Sequence, residues 1–146
     1  TEQGMKKWQV DQLAALYRKA VLLQANPAGG PAPCEAGCGR LGTDAHHFIH
    51  RSQEPGIRWQ YEPRWGLWLC SGCHMRGHAD PGFWQTVSTK LWQYRPVRAR
   101  TLERFAAMHD RLTCKNVTFE WMRAYLQRCF ERRMRDWSEA YYCEVD

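Results

Sequence analysis

Apolar positions recur at near-helical spacing near the start of the chain. Trp8, Leu13, Leu16, Tyr17, Ala20, Val21 and Leu23 form a stripe, with Lys6, Lys7, Arg18 and Lys19 mostly off it. The pattern predicts a helix over residues 5–24. It stops before Asn26-Pro27-Ala28-Gly29-Gly30-Pro31-Ala32-Pro33, a linker by composition. Period-two or short apolar runs follow. Ala45–Arg51, Ile57–Tyr61 and Gly66–Leu69 are strand candidates, and Gln53–Gly56 is turn-like. Ser71 is a candidate N-cap for a helix carrying Cys73, His74 and His78. Residues 82–112 read as helical, interrupted at Pro96. Asn116 or Thr118 can cap a last helix of roughly 23 residues. Its stripe is Phe119, Met122, Leu126, Phe130, Met134, Trp137 and Tyr141, with Arg123, Arg128, Arg132, Arg133 and Arg135 spread over the rest. That helix reads first as core packing with a wet basic face, with a homodimer seam or a DNA-facing surface as alternatives.

These elements imply an α+β chain: a small two-strand and helix core, flanked by an N-terminal helix and a helical C-terminal region. The expected division is 1–33 for the helical arm and linker, 34–82 for the core, and 83–146 for a basic helical region. With 146 residues and 17.2 kDa, the chain has the size of one ordinary domain. No apolar run approaches the ~18 residues of a membrane span, so no membrane partner is expected. Thr1-Glu2-Gln3-Gly4 lacks the order of a secretory signal.

Charge changes the picture. Net charge is +6, and sixteen of the 21 basic residues are Arg, whose planar fork suits phosphate. Arg95 to Arg135 holds eleven basic and four acidic residues, a net of +7, while residues 136–146 hold four acids and no base. A basic block suggests a polyanionic partner, DNA first; the plainer reading is a solvated helix face.

Seven Cys, an odd number, argue against a closed disulfide frame and, with no export signal, for a reducing, cytoplasmic compartment. Cys34-x3-Cys38 and Cys70-x2-Cys73 have the spacing of two edges of a tetrahedral zinc site. Such a zinc would be structural, tying the start of the core to the head of its helix. Cys114, Cys129 and Cys143 are scattered and read as structural or free. Five of the six His are also clustered. His46, His47 and His50 fall within five residues, and His74 and His78 are spaced i, i+4, which shares a helix face and can share a metal. Adjacent His46 and His47 point to opposite faces of a strand, so one can be a ligand while the other is a base.

Taken in order, Cys34-x3-Cys38-Gly39, Asp44-Ala45-His46-His47-Phe48-Ile49-His50-Arg51 and Leu69-Cys70-x2-Cys73-His74-x3-His78 resemble an HNH endonuclease with a structural zinc. The segment is similar to the compact HNH proteins common in phage genomes. Its paired His also resemble the colicin DNases, which lack the Cys frame. The resemblance covers about residues 34–82 and implies a ββα-metal fold, with the metal between strands and helix. It implies a bacterial or phage-infected host cell as the setting. Carried over by position, His46, His74 and His78 would hold a catalytic divalent metal, His47 would be the general base, and Cys34, Cys38, Cys70 and Cys73 would hold Zn2+. The metal would stabilise charge on the scissile phosphate and the 3′ leaving oxygen. His47 would take a proton from the attacking water. The products would carry 5′-phosphate and 3′-hydroxyl ends.

One position departs from the family pattern. Asn usually stands nine residues before the first helix His and braces the loop that carries the base; here that residue is Trp65. Either a backbone carbonyl orients His47, or activity is weakened, or the register differs. A three-His site is nitrogen-rich and imidazole suits Zn2+, Ni2+, Co2+ or Mn2+ better than Mg2+, so activity with Mn2+, Co2+ or Ni2+ is expected to be at least as strong as with Mg2+. Arg51, Arg58, Arg64 and Arg76 together suit a DNA track, although each alone reads more simply as surface. Trp59, Tyr61, Trp65, Trp68, Phe83 and Trp84 read as core packing. The competing reading is a non-catalytic zinc-knuckle protein that binds nucleic acid; a mere knuckle would not need the four clustered His.

Overall fold

The computed structural model describes residues 4–47, 56–108 and 117–131. Among them are six α-helices and one two-stranded antiparallel sheet, an α+β arrangement. Helix α1 (Lys7–Ala25) begins where Gln9 Oε1 accepts the Lys6 N–H at 2.8 Å. It ends at Asn26, and Pro27 cannot extend it. Its stripe buries Leu13, Tyr17, Ala20 and Val21. Strands β1 (Asp44–His47) and β2 (Gly66–Leu69) pair with His46 opposite Leu67 and His47 opposite Gly66. The predicted strand over 45–51 is therefore seen from Asp44 to His47; residues 48–51 lie outside the described residues.

Ile57–Tyr61 is not a strand. Ile57–Gln60 forms the helical turn α2, followed by a 3-10 turn at Pro63–Trp65. Every residue of α2 is buried, and a short run buried on all sides carries no period to separate strand from helix. The Arg58–Glu62 pair, spaced i, i+4 at 3.2 Å, favours the helical phase.

Helix α3 (Ser71–Ala79) follows β2 directly. Its N-cap is Cys70 rather than Ser71: the Cys70 sulfur accepts the Cys73 N–H at 3.4 Å. Helices α4 (Phe83–Tyr94) and α5 (Pro96–Met108) are one helical stretch split as predicted, with Pro96 in the first position of α5, where its missing N–H costs nothing. Helix α6 (Phe119–Glu131) opens with Thr118 Oγ1 accepting the Trp121 N–H at 3.1 Å. Met134, Trp137 and Tyr141 of its predicted stripe lie outside the described residues.

The sheet separates two apolar clusters because strand side chains alternate in direction. Trp68 faces a cluster built with Leu13, Tyr17 and Val21 of α1 and Met122, Tyr125 and Leu126 of α6. Leu67 and Leu69 face the other, with Phe83, Val87 and Leu91 of α4 and Ala99 and Leu102 of α5. A fully buried Leu contributes on the order of 1.5–3 kcal/mol, so each face is anchored by its own apolar contacts. Among the described residues no helix is long and apolar enough to cross a membrane.

Candidate metal centres

Residues 34–41 form a knuckle laid along the outer edge of β2. The Glu35 N–H donates to the Trp68 carbonyl at 2.8 Å, and the Trp68 N–H donates to Glu35 Oε1 at 2.9 Å. Glu35 Oε2 also accepts from Arg95 at 3.0 Å and from buried Arg98 at 3.4 Å. The knuckle turns tightly because Gly37 and Gly39 adopt φ of 76° and 87°, a region that other residues rarely enter.

This turn delivers Cys34 and Cys38 to Cys70 and Cys73 at the head of α3, with the four sulfurs all within 4.8 Å of one another. Cys38 and Cys70 sulfurs stand 3.7 Å apart. A tetrahedral zinc with Zn–S bonds of about 2.3 Å sets its sulfurs about 3.8 Å apart, so this edge fits. The Cys73 N–H, together with the neighbouring thiols, pulls the Cys70 thiol down to about 7, while burial pushes Cys34 and Cys73 up. The four Cys are thus compatible with a zinc site, and Cys70 starts the helix. Cys129 is buried elsewhere, its thiol on the Tyr125 carbonyl at 3.2 Å; Cys114 and Cys143 lie outside the described residues.

The second cluster is formed by His46, His74 and His78, each with one ring nitrogen within 4.8 Å of the others'. His46 is buried on β1 and faces α3, where the i, i+4 spacing turns His74 and His78 toward it. Ring centroids lie 4.5 Å from His46 to His74, and 5.1 Å from His78 to each of the other two. Trp84 tilts over His46 at 4.8 Å. It can do so because position 77 is glycine: a Cβ there would stand 2.7 Å from the Trp84 ring. Three neutral imidazoles form a donor set suited to a borderline divalent ion.

Two features of this site escaped the sequence reading. Asp44 Oδ2 accepts a hydrogen bond from His74 Nδ1 at 2.9 Å, and that bond holds the Asp44 carboxyl below its usual range. The available signal was the i, i+2 spacing of Asp44 and His46 on one strand face. Gln60 is the second. His47 Nε2 lies 2.6 Å from the Gln60 carbonyl oxygen, so this nitrogen carries the proton and donates. His47 faces α1, stacked on Tyr17 with centroids 4.6 Å apart. A backbone carbonyl therefore orients His47, one of the outcomes left open by Trp65. Trp65 itself is buried against Trp59 at 5.1 Å and packs the α2 and 3-10 segment that presents the carbonyl.

The arginine track is corrected in part. Arg58 and Arg64 are 1% and 3% exposed and cannot meet a phosphate on the surface. Both guanidiniums pair with fully buried Glu62 and donate to the Tyr125 hydroxyl, at 3.2 and 2.9 Å. Arg76 is exposed on α3, over the Phe83 ring at 5.0 Å. Arg51 and His50 lie outside the described residues. Trp59, Tyr61, Trp65, Trp68 and Phe83 are buried as expected, and Trp84 is half-buried.

In comparisons with known proteins, no family model, no curated protein and no solved structure matches the chain.

Proposed function

We propose that this chain is a metal-dependent DNA endonuclease of HNH type, built on a ββα-metal core with a structural zinc beside it. The observation that carries the reading is the trio of His46, His74 and His78 gathered across β1 and α3, separate from the four Cys. Zinc binding by the knuckle alone gives no reason for that second donor set.

In this reading His46, His74 and His78 would hold a divalent ion, and the ion would supply Lewis-acid stabilisation of charge on the scissile phosphate and its leaving oxygen. His47 is the general base. Its Nε2–H is committed to the Gln60 carbonyl, so Nδ1 keeps the lone pair that accepts a proton from water. Stacking on Tyr17 limits rotation of the ring. In-line displacement needs the base and the leaving-group stabiliser on opposite sides of phosphorus. Consecutive strand positions, pointing to opposite faces, suit that demand. Arg76 on α3 and Arg51 after β1 are the remaining candidates for phosphate contact; a net charge of +6 favours a polyanion generally.

The test is nicking of supercoiled plasmid by wild type and His47→Ala, with EDTA, Mg2+, Mn2+, Co2+, Ni2+ or Zn2+. Nicking by wild type with Mn2+, Co2+ or Ni2+, lost in His47→Ala and in EDTA, is the expected result. Cleavage with Mg2+ alone would count against the three-His assignment. Gel shifts without nicking would make the chain a nucleic-acid-binding module on a nuclease frame.

A further inference from the structure

We propose that Asp44 is the positioning residue of the three-histidine site: its carboxylate selects the His74 ring nitrogen that meets the metal. This inference rests on the metal-binding reading given above. A neutral imidazole offers either nitrogen as a ligand, and a helix side chain can rotate to present either one. The three His differ in how they are held. His46 is enclosed, with β1 beneath it and the Trp84 ring tilted over it. His78 is exposed one turn along α3. His74 lies between these extremes, 31% exposed, and Asp44 fixes it through the 2.9 Å bond to Nδ1.

That bond has a definite consequence. A carboxylate only accepts, so Nδ1 must carry the proton, and Nε2 is left with the lone pair. Asp44 is itself anchored. Its backbone is in the β1–β2 ladder opposite Leu69, and Oδ1 accepts the Thr43 hydroxyl at 3.0 Å. Asp44 and His46 share a strand face, so one short strand supplies both a ligand and the group that orients the ligand opposite. The carboxylate also places a negative charge one hydrogen bond from a site that would otherwise present three neutral donors to a dication. A site so built should hold its ion more tightly than three histidines alone.

The experiment uses the full chain with the Cys cluster already loaded with Zn2+. Ni2+ is then titrated calorimetrically into wild type, Asp44→Asn and Asp44→Ala. Asn can still accept from His74 but carries no charge, whereas Ala removes the bond. Outer hydrogen-bond partners of this kind typically change metal affinity by about 10–100-fold. The expected order is therefore wild type tightest, Asn about 10-fold weaker and Ala about 100-fold weaker, with zinc content unchanged. Nitrogen NMR of the Ni2+-free protein provides a readout that a merely structural role would not move: His74 should be the Nδ1–H tautomer in wild type. Equal Ni2+ affinity in all three proteins, or a His74 protonated on Nε2, would overturn the role of Asp44 while leaving the metal site standing. Wild type taking up no Ni2+ beyond its zinc would overturn the site itself.

Discussion

At the scale of the residue, Glu62 makes the largest demand on the fold. It has no solvent exposure, and two guanidiniums and the Tyr125 hydroxyl converge on its carboxylate. Taking ions out of water costs several kcal/mol each, so such a group persists only when every partner is in place. Glu62→Ala would leave Arg58 and Arg64 buried without their counter-charge. It is expected to lower stability by about 3–5 kcal/mol in urea unfolding; a loss under about 1 kcal/mol would mean that the arginines find other partners. From sequence alone these two arginines suit a DNA track, because the Tyr125 that anchors Arg58 and Arg64 from α6 lies 67 and 61 residues away. Basic residues in a basic chain look alike until their burial is known. The candidate metal-binding residues have the opposite property. Close Cys pairs and an i, i+4 His pair are local patterns, and local patterns survive in sequence.

At the scale of the element, legibility followed periodicity. Helix α1, the α4–α5 break at Pro96 and strand β2 were readable because stripe, breaker and boundary lie within one segment. The α2 turn was not, since four consecutively buried residues have no exposed face to set a period. The N-cap of α3 was misread for a chemical reason: Ser is the ordinary cap, but here a sulfur does that work. The knuckle depends on its own long-range anchor. Glu35 completes β2 through the Trp68 N–H and holds Arg95 and Arg98 from the α4–α5 junction. Glu35→Ala should loosen the two knuckle thiols relative to Cys70 and Cys73. Zinc release to a chromogenic chelator is then expected to run at least about tenfold faster than in wild type, a shift of roughly 1.4 kcal/mol. An unchanged rate would mean that the glycine turns and the metal hold the knuckle unaided.

At the scale of the whole molecule, the sheet is the shared wall between two halves. One side is closed by α1 and α6, so the beginning of the chain and its last described helix pack together. The other side is closed by α3, α4 and α5, and the Cys and His clusters lie there with the apolar residues of β2 between them and the first half. Within the described residues, α6 packs Phe119, Met122 and Leu126 of its stripe into the same cluster as α1. Among the described residues His47 joins the halves: it is carried on β1 beside His46, yet it is oriented by Tyr17 of α1 and Gln60 of α2. In the proposed reading, β1 carries both the base and one ligand, while α1 and α2 set the orientation of the base.

In the proposed reading two separate metal centres share α3, one closed by four Cys and one open with three His. Native mass spectrometry of the chain purified with zinc tests it most directly, before and after brief EDTA treatment, with His46→Ala alongside. The expected result is two ions on wild type, one of them removed quickly by EDTA, and a single retained ion on His46→Ala. One ion on both proteins, held equally against EDTA, would contradict it and leave only the zinc knuckle.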